Sequence, residues 1–187
     1  KTKAGYWERP FCDELSGKTI GFLGFGKIAR KVAYKLQTSD VNMLAYDIYP
    51  QEEIARALNV RYVDQDHIFK ESDIVSIHMP LNEETKGIIN SEKLALMKPA
   101  SYIINTARGG IIRQKDLVEA LKNNRLAGAG LDVFEEEPLT EESEFSNMDN
   151  VVVSPYISSR TRESFSRTGN EVVENILNFI AGRMKND

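Results

Sequence analysis

Cysteine and histidine are almost missing from this chain: Cys12, His67 and His78 are the only ones in 187 residues. A lone thiol closes no internal disulfide, and so few soft ligands cannot build a structural zinc site, so no metal is expected. No apolar run approaches the ~18 residues of a membrane span, and no signal peptide is visible; no membrane contact and a cytoplasmic location are expected. Lys and Arg never gather into a block. With 24 of them against 28 Asp and Glu, the net charge of −4 speaks against a nucleic-acid partner. Pro-rich linkers, internal repeats and low-complexity tracts are absent too. What remains is 41% hydrophobic and 28% charged, the balance of an ordinary globular protein. The length suits one domain with a core that needs no disulfides. The first residue is Lys1, not Met, and the chain reads as a piece of something longer.

Residues 1–17, with Gly5, Pro10 and Gly17, read as a lead-in. Short apolar runs then alternate with amphipathic stretches. Strands are predicted at Thr19–Leu23, Val41–Tyr46, Ile74–Ile77, Tyr102–Ile104, Gly128–Val133 and Val151–Val153. Helices are predicted at Lys27–Leu36, Glu52–Leu58, Lys115–Asn123 and from about Arg160 to Ala181. The last has apolar residues at Phe165, Val172, Val173, Ile176, Leu177 and Ile180, with Gly182 as its stop. His67 falls in a polar helical stretch with Asp64, Asp66 and Lys70, and is expected to be solvated. Nearly continuous apolar strands alternating with helices predict an α/β fold, a doubly wound parallel sheet with helices on both faces.

Gly24-x-Gly26-x-x-Ala29 stands between the first strand and the first helix. The first glycine permits the tight turn, the second leaves room for a pyrophosphate, and the small third residue lets helix and strand pack closely. A helix N-terminus offers free N–H donors and partial positive charge to that anion. Asp47 ends the next strand, about 20 residues on, where a carboxylate can accept from ribose hydroxyls. It would repel a 2′-phosphate, and Ile48 and Tyr49 supply no compensating cation. The pattern therefore predicts NAD rather than NADP.

Further segments follow in order. They are Gly17-Lys18-Thr19-Ile20-Gly21, Asp73 to Leu81 with Thr85 and Ile88, and Met97-Lys98-Pro99 through Arg108-Gly109-Gly110. Gly130-Leu131-Asp132-Val133-Phe134 with Glu137-Pro138 comes next, and then Asn150 to Pro155. This order resembles the cofactor half of the D-isomer-specific 2-hydroxyacid dehydrogenases. The resemblance implies a Rossmann-type NAD-binding domain spanning the chain, with most of the family's substrate domain absent. It implies hydride transfer between NAD(H) and a small 2-oxo or 2-hydroxy acid, and a homodimer paired through cofactor domains. Trp7, after Gly5-Tyr6, resembles the family's Gly-x-Trp segment; local aromatic packing is the other reading.

Carried over position by position, the resemblance puts Gly24, Gly26, Lys27, Ile28, Asp47, His78, Pro80, Thr85, Thr106, Ala107, Arg108, Asp132, Tyr156 and Ser158 at the cofactor. Arg108 would clamp the carboxylate and carbonyl of the substrate, a task suited to a guanidinium that holds two oxygens and never loses its charge. Asp132 would accept from the nicotinamide carboxamide, or else serve as a turn cap. Glu137 would support the acid–base residue, although Glu135-Glu136-Glu137 also reads as a solvated charge run. His78 belongs to the cofactor edge and is expected to bond nearby backbone.

Tyr156 departs from the pattern. The family has its proton-donating histidine there. A histidine titrates near neutrality, whereas a tyrosine ordinarily does so at about 10, and it makes a poor partner for a carboxylate. Three readings follow: Tyr156 acts as the acid; it packs or stacks in an altered enzyme; or the protein binds NAD(H) as a sensing module and reduces nothing.

Overall fold

The computed structural model describes Ala4, Gly5, Trp7 and residues 12–183. Tyr6 and Pro10 of the lead-in lie outside these described residues. The strands are β1 (Thr19–Leu23), β2 (Asn42–Tyr46), β3 (Val60–Tyr62), β4 (Ile74–Ile77), β5 (Tyr102–Asn105), β6 (Gly128–Leu131) and β7 (Val151–Val153). The helices are α1 (Lys27–Leu36), α2 (Glu52–Ala57), α3 (Gln65–Glu71), α4 (Ser91–Leu96), α5 (Gln114–Lys122) and α6 (Arg162–Ile180). All strands pair in parallel in one sheet of order β3-β2-β1-β4-β5-β6-β7.

Side-chain alternation along the strands feeds two cores. Ile20 and Phe22 of β1 join Met43 and Ala45 of β2 beneath Ala29 and Ala33 of α1 and Ala55 of α2. Leu23 and Leu44 point the other way, into a larger cluster with Ile68 and Phe69 of α3, Leu94 of α4 and Leu117 and Leu121 of α5. Both faces of the sheet are therefore covered around β1, β2 and β4, while Val152 and Val153 of the edge strand β7 stay exposed. The order reverses between β1 and β4, and at such a switch point the following loops diverge and leave a crevice beyond the carboxyl ends of the strands.

Four elements differ from the sequence reading by more than one residue. Strand β3 was not foreseen; it has three residues on the edge beside β2 and no alternation to detect. Helix α4 is a short turn started by Asn90, whose side chain accepts from the Lys93 backbone N–H. β6 stops at Leu131, two residues before the expected end, because the Asp132 carboxylate binds a loop. Helix α6 begins at Arg162, where Thr161 caps it by accepting from the Ser164 N–H. The apolar face of α6 finds no cover among the described residues: Phe165, Val172, Val173, Ile176, Leu177 and Ile180 are 51–75% exposed.

Candidate functional site

The loop from β1 to α1 is shaped by what surrounds Gly24. Its φ of +85° is the left-handed region, and a Cβ there would sit 2.8 Å from the Met79 nitrogen and 2.9 Å from the His78 carbonyl. Only hydrogen lets β1 end this close to the loop after β4. Gly26 is the reverse case: a Cβ there meets nothing within 4 Å. Space is thus left in front of α1. The helix starts at Gly26 without a side-chain cap and with no acid in its first turn, so its first N–H donors face that space unclaimed by a side chain. Lys27 and Ile28 flank the space, and Ile28 is 70% exposed. This open, donor-lined pocket fits the pyrophosphate of a dinucleotide.

Asp47 closes the same loop from β2. Its Oδ2 accepts from the Phe25 N–H at 2.6 Å and its Oδ1 from the Tyr49 N–H at 2.9 Å. The acid expected only to receive ribose hydroxyls thus also braces the phosphate loop. Each carboxylate oxygen keeps a further lone pair for a ligand.

Across the crevice lies the segment after β4. His78 packs its ring 5.9 Å from that of Phe22, and its Nε2 meets the Ser76 hydroxyl at 2.9 Å. Its ring partner is a side chain, not the backbone group expected. Burial pulls its pKa down to about 4, so the ring is neutral near pH 7. Pro80 follows, and Thr85 Oγ1 donates to its carbonyl at 2.6 Å, holding the Pro80–Thr85 turn shut. His67, expected to be solvated, is half-buried on α3.

The loop after β5 is drawn by Asn105, which is 1% exposed. Its amide donates to the Arg108 carbonyl and its oxygen accepts from the Ala107 N–H, both at 3.0 Å. Thr106 and Arg108 are left at the surface. A Cβ on Gly109 would collide with the Phe134 carbonyl, so this loop lies backbone against backbone on the loop after β6.

Asp132, which follows β6, organises the loop after β7. It is 3% exposed, and its Oδ1 accepts from the Ser154 hydroxyl at 2.6 Å and the Ile157 N–H at 2.9 Å, its Oδ2 from the Ser158 N–H at 2.9 Å. Burial pushes this carboxyl up, but the bonds from Ser154, Ser158 and the backbone outweigh it and hold the pKa at about 2. The turn-cap role is what these contacts describe. The bonded loop carries Tyr156 at φ +55°, its N–H donating to the Asp132 carbonyl at 3.0 Å. The Arg108 guanidinium lies 6.0 Å from the Tyr156 ring centroid, at cation–π range. Glu137 Oε1 accepts from the Phe134 N–H at 3.0 Å, so this acid is fixed rather than loose in its charge run.

Two clefts meet at Glu137. One, of about 510 Å³, is lined by Asp132, Phe134, Glu137, Leu139, Val153 and Tyr156 among others. The second, of about 780 Å³, holds Arg108, Lys86 and Arg113 with Glu135 and Glu137. Arg108, Glu137 and Tyr156, far apart in sequence, thus share one end of the sheet. Neither histidine lines either cleft. Asn105 and Ser154 lie within the sequence motifs but carry no assigned role there; Lys86 and Arg113 lie outside them.

Among the described residues, no helix is long and apolar enough to cross a membrane. Residues 1–158 match the family described as D-isomer specific 2-hydroxyacid dehydrogenase, NAD binding domain. The chain is 41% identical over 189 residues to a glyoxylate reductase of Thermofilum pendens, covering 97% of this chain and 56% of the relative. It is similar to a D-lactate dehydrogenase of Lactobacillus jensenii solved with NAD+, with a TM-score of 0.89 at 28% identity, covering 98% of this chain and 59% of that one. It is also similar to an acyclic imino acid reductase solved with NADPH and D-Arg, with a TM-score of 0.86 at 29% identity, covering 97% and 58%. The chain spans a little over half the length of these relatives. A dinucleotide crevice at the switch point, ordered motifs from Gly17 to Pro155 and this family match agree: the chain belongs to the NAD-binding domains of the D-isomer-specific 2-hydroxyacid dehydrogenases.

Proposed function

We propose that this chain is the single cofactor domain of an NAD(H)-dependent enzyme interconverting a small 2-oxo acid and its 2-hydroxy acid. The observation that carries this reading is the meeting of Arg108, Glu137 and Tyr156 after β5, β6 and β7, at the same end of the parallel sheet as the phosphate loop after β1. In this reading the α1 N-terminus with Gly24, Gly26, Lys27 and Ile28 holds the pyrophosphate and Asp47 the adenosine ribose. His78, Pro80 and Thr85 line the near edge of the crevice, with Thr106, Ala107, Asp132 and Ser158 at the far edge. When bound, NADH supplies the hydride.

Arg108 binds the substrate carboxylate and draws electron density from the reacting carbon. Glu137 holds negative charge opposite it. Tyr156 occupies the position from which the family delivers a proton. Asp132 fixes that position through Ser154, Ile157 and Ser158. A cytoplasmic homodimer is part of this proposal, and the 82% exposure of Trp7 leaves that ring free for a partner subunit.

One observation favours a second reading: without a histidine in either cleft, the domain would bind NAD(H) as a sensor and reduce nothing. The test is NADH consumption by the complete gene product with a panel of 2-oxo acids, alongside Tyr156→His. Turnover by the unaltered protein supports the enzyme. Tight NADH binding with turnover only after Tyr156→His moves the sensor to first place.

A further inference from the structure

The charges of the two clefts are laid out in opposite senses. The cleft beside Arg108 also holds Lys86 and Arg113, with Glu135 the acid besides the shared Glu137. The lining of the cleft beside Tyr156 includes no cation; Arg108 reaches only the Tyr156 ring, and with Asp132 bonded to its loop, Glu137 is the carboxylate left to meet a ligand there. A ligand spanning the junction meets positive charge at one end and negative charge at the other. An oxo acid has an anionic end for Arg108 but nothing positive for Glu137. Its reduction also leaves an alkoxide that needs a proton. No histidine lines either cleft, so no imidazole stands ready to deliver it.

From this juxtaposition we infer that the site reduces the protonated 2-imino acid formed when a 2-oxo acid condenses with ammonia or a primary amine, giving a 2-amino acid. This rests on the reading of the chain as an NADH-dependent reductase domain. Condensation with the ammonium ion, or with a protonated primary amine, forms C=N and releases water, and the positive charge stays on nitrogen. The protonated imino acid is a zwitterion: its carboxylate lies at Arg108 and its N–H⁺ points to the Glu137 carboxylate and the Tyr156 oxygen. Addition of hydride to C2 forms the new C–H bond, and the C=N π pair moves onto nitrogen. Nitrogen keeps its own protons, so the step consumes no acid from the protein. The amine takes its final proton from water after release. Tyr156 serves here as an acceptor through its oxygen, while its ring lies against the Arg108 guanidinium.

The test uses the complete gene product. NADH consumption is followed with pyruvate or glyoxylate, with and without ammonium or methylamine, and the product is identified by mass spectrometry. Independently of turnover, D-alanine and D-lactate are titrated into the protein saturated with NAD+ by calorimetry. The inference expects turnover that depends on the amine, with an amino acid as product. It also expects D-alanine to bind on the order of tenfold more tightly than D-lactate, the worth of one charge-assisted bond over a neutral one. Glu137→Gln, which keeps an oxygen for the Phe134 N–H, should erase that preference. Equal rates with and without amine, a hydroxy acid product and no preference for D-alanine would overturn the inference and leave the oxo-acid reading standing. NADH binding with no turnover and no binding of either acid would overturn both.

Discussion

Asp132→Asn is the change that tests how the Tyr156 loop is held. The carboxylate receives the Ser154 hydroxyl and the Ile157 and Ser158 N–H groups on two oxygens. An amide replaces one oxygen with a donor, which must then face a donor. The carboxyl sits at about 2 instead of its usual 3.8. At about 1.4 kcal/mol per pKa unit, that depression amounts to roughly 2.5 kcal/mol of stability for a side chain this buried. The folded-state pKa is lowered, so the contribution is present above pH ~4 and is lost as pH falls through ~2. Urea unfolding of the unaltered chain and Asp132→Asn should therefore differ by roughly 2–3 kcal/mol at pH 7, and the curves should converge as pH approaches ~2. A gap under about 0.5 kcal/mol at pH 7, or one that persists undiminished in acid, would refute the hub role.

The two loop glycines should separate stability from binding. Gly24→Ala meets the Met79 and His78 backbone at a positive φ and is expected to cost about 2 kcal/mol or more in urea unfolding. Gly26→Ala enters open space and should leave stability within about 0.5 kcal/mol while weakening NADH at least about tenfold by fluorescence titration. Asp47→Ala removes the acceptors of the Phe25 and Tyr49 N–H groups and the repulsion of a 2′-phosphate; titration with both dinucleotides should show NADH weakened about tenfold and the NADPH gap narrowed. For His78 the sign runs opposite to a paired histidine. Burial lowers its pKa from 6.5 to about 4, so the unfolded chain takes up the proton first and stability falls as pH drops through that window. His78→Gln should flatten a loss of about 3 kcal/mol between pH ~6.5 and ~4 in the unfolding curve.

Much of this architecture is legible in the chain itself. β1, α1 and β4 lie where the apolar spacing puts them, because buried strands and an amphipathic helix leave strong signals; β7 does too, as a run of three valines, although two of them are exposed. β3 and α4 left none: a three-residue edge strand and a six-residue helix depend on neighbours for their existence. The positions of Arg108, Glu137 and Tyr156 could be named from motifs, but not the charge they share with Lys86 and Arg113. That grouping arises from where four loops end, a long-range property that no local pattern encodes. Likewise the spacing of Asp47 pointed to a ligand contact, while its bond to the Phe25 N–H required the fold of β2 beside β1.

Gly109 pressed on the Phe134 carbonyl carries one more consequence. Because main chain rests on main chain there, the separation of the Arg108 and Glu137 loops is a property of the scaffold, indifferent to which side chains they bear. A lineage could exchange the residue at position 156, or trade carbonyl chemistry for another, and inherit the same frame. Tolerance of that kind makes the junction a natural place to retune reactivity by single substitutions, with Gly109 itself as the one position that must not vary.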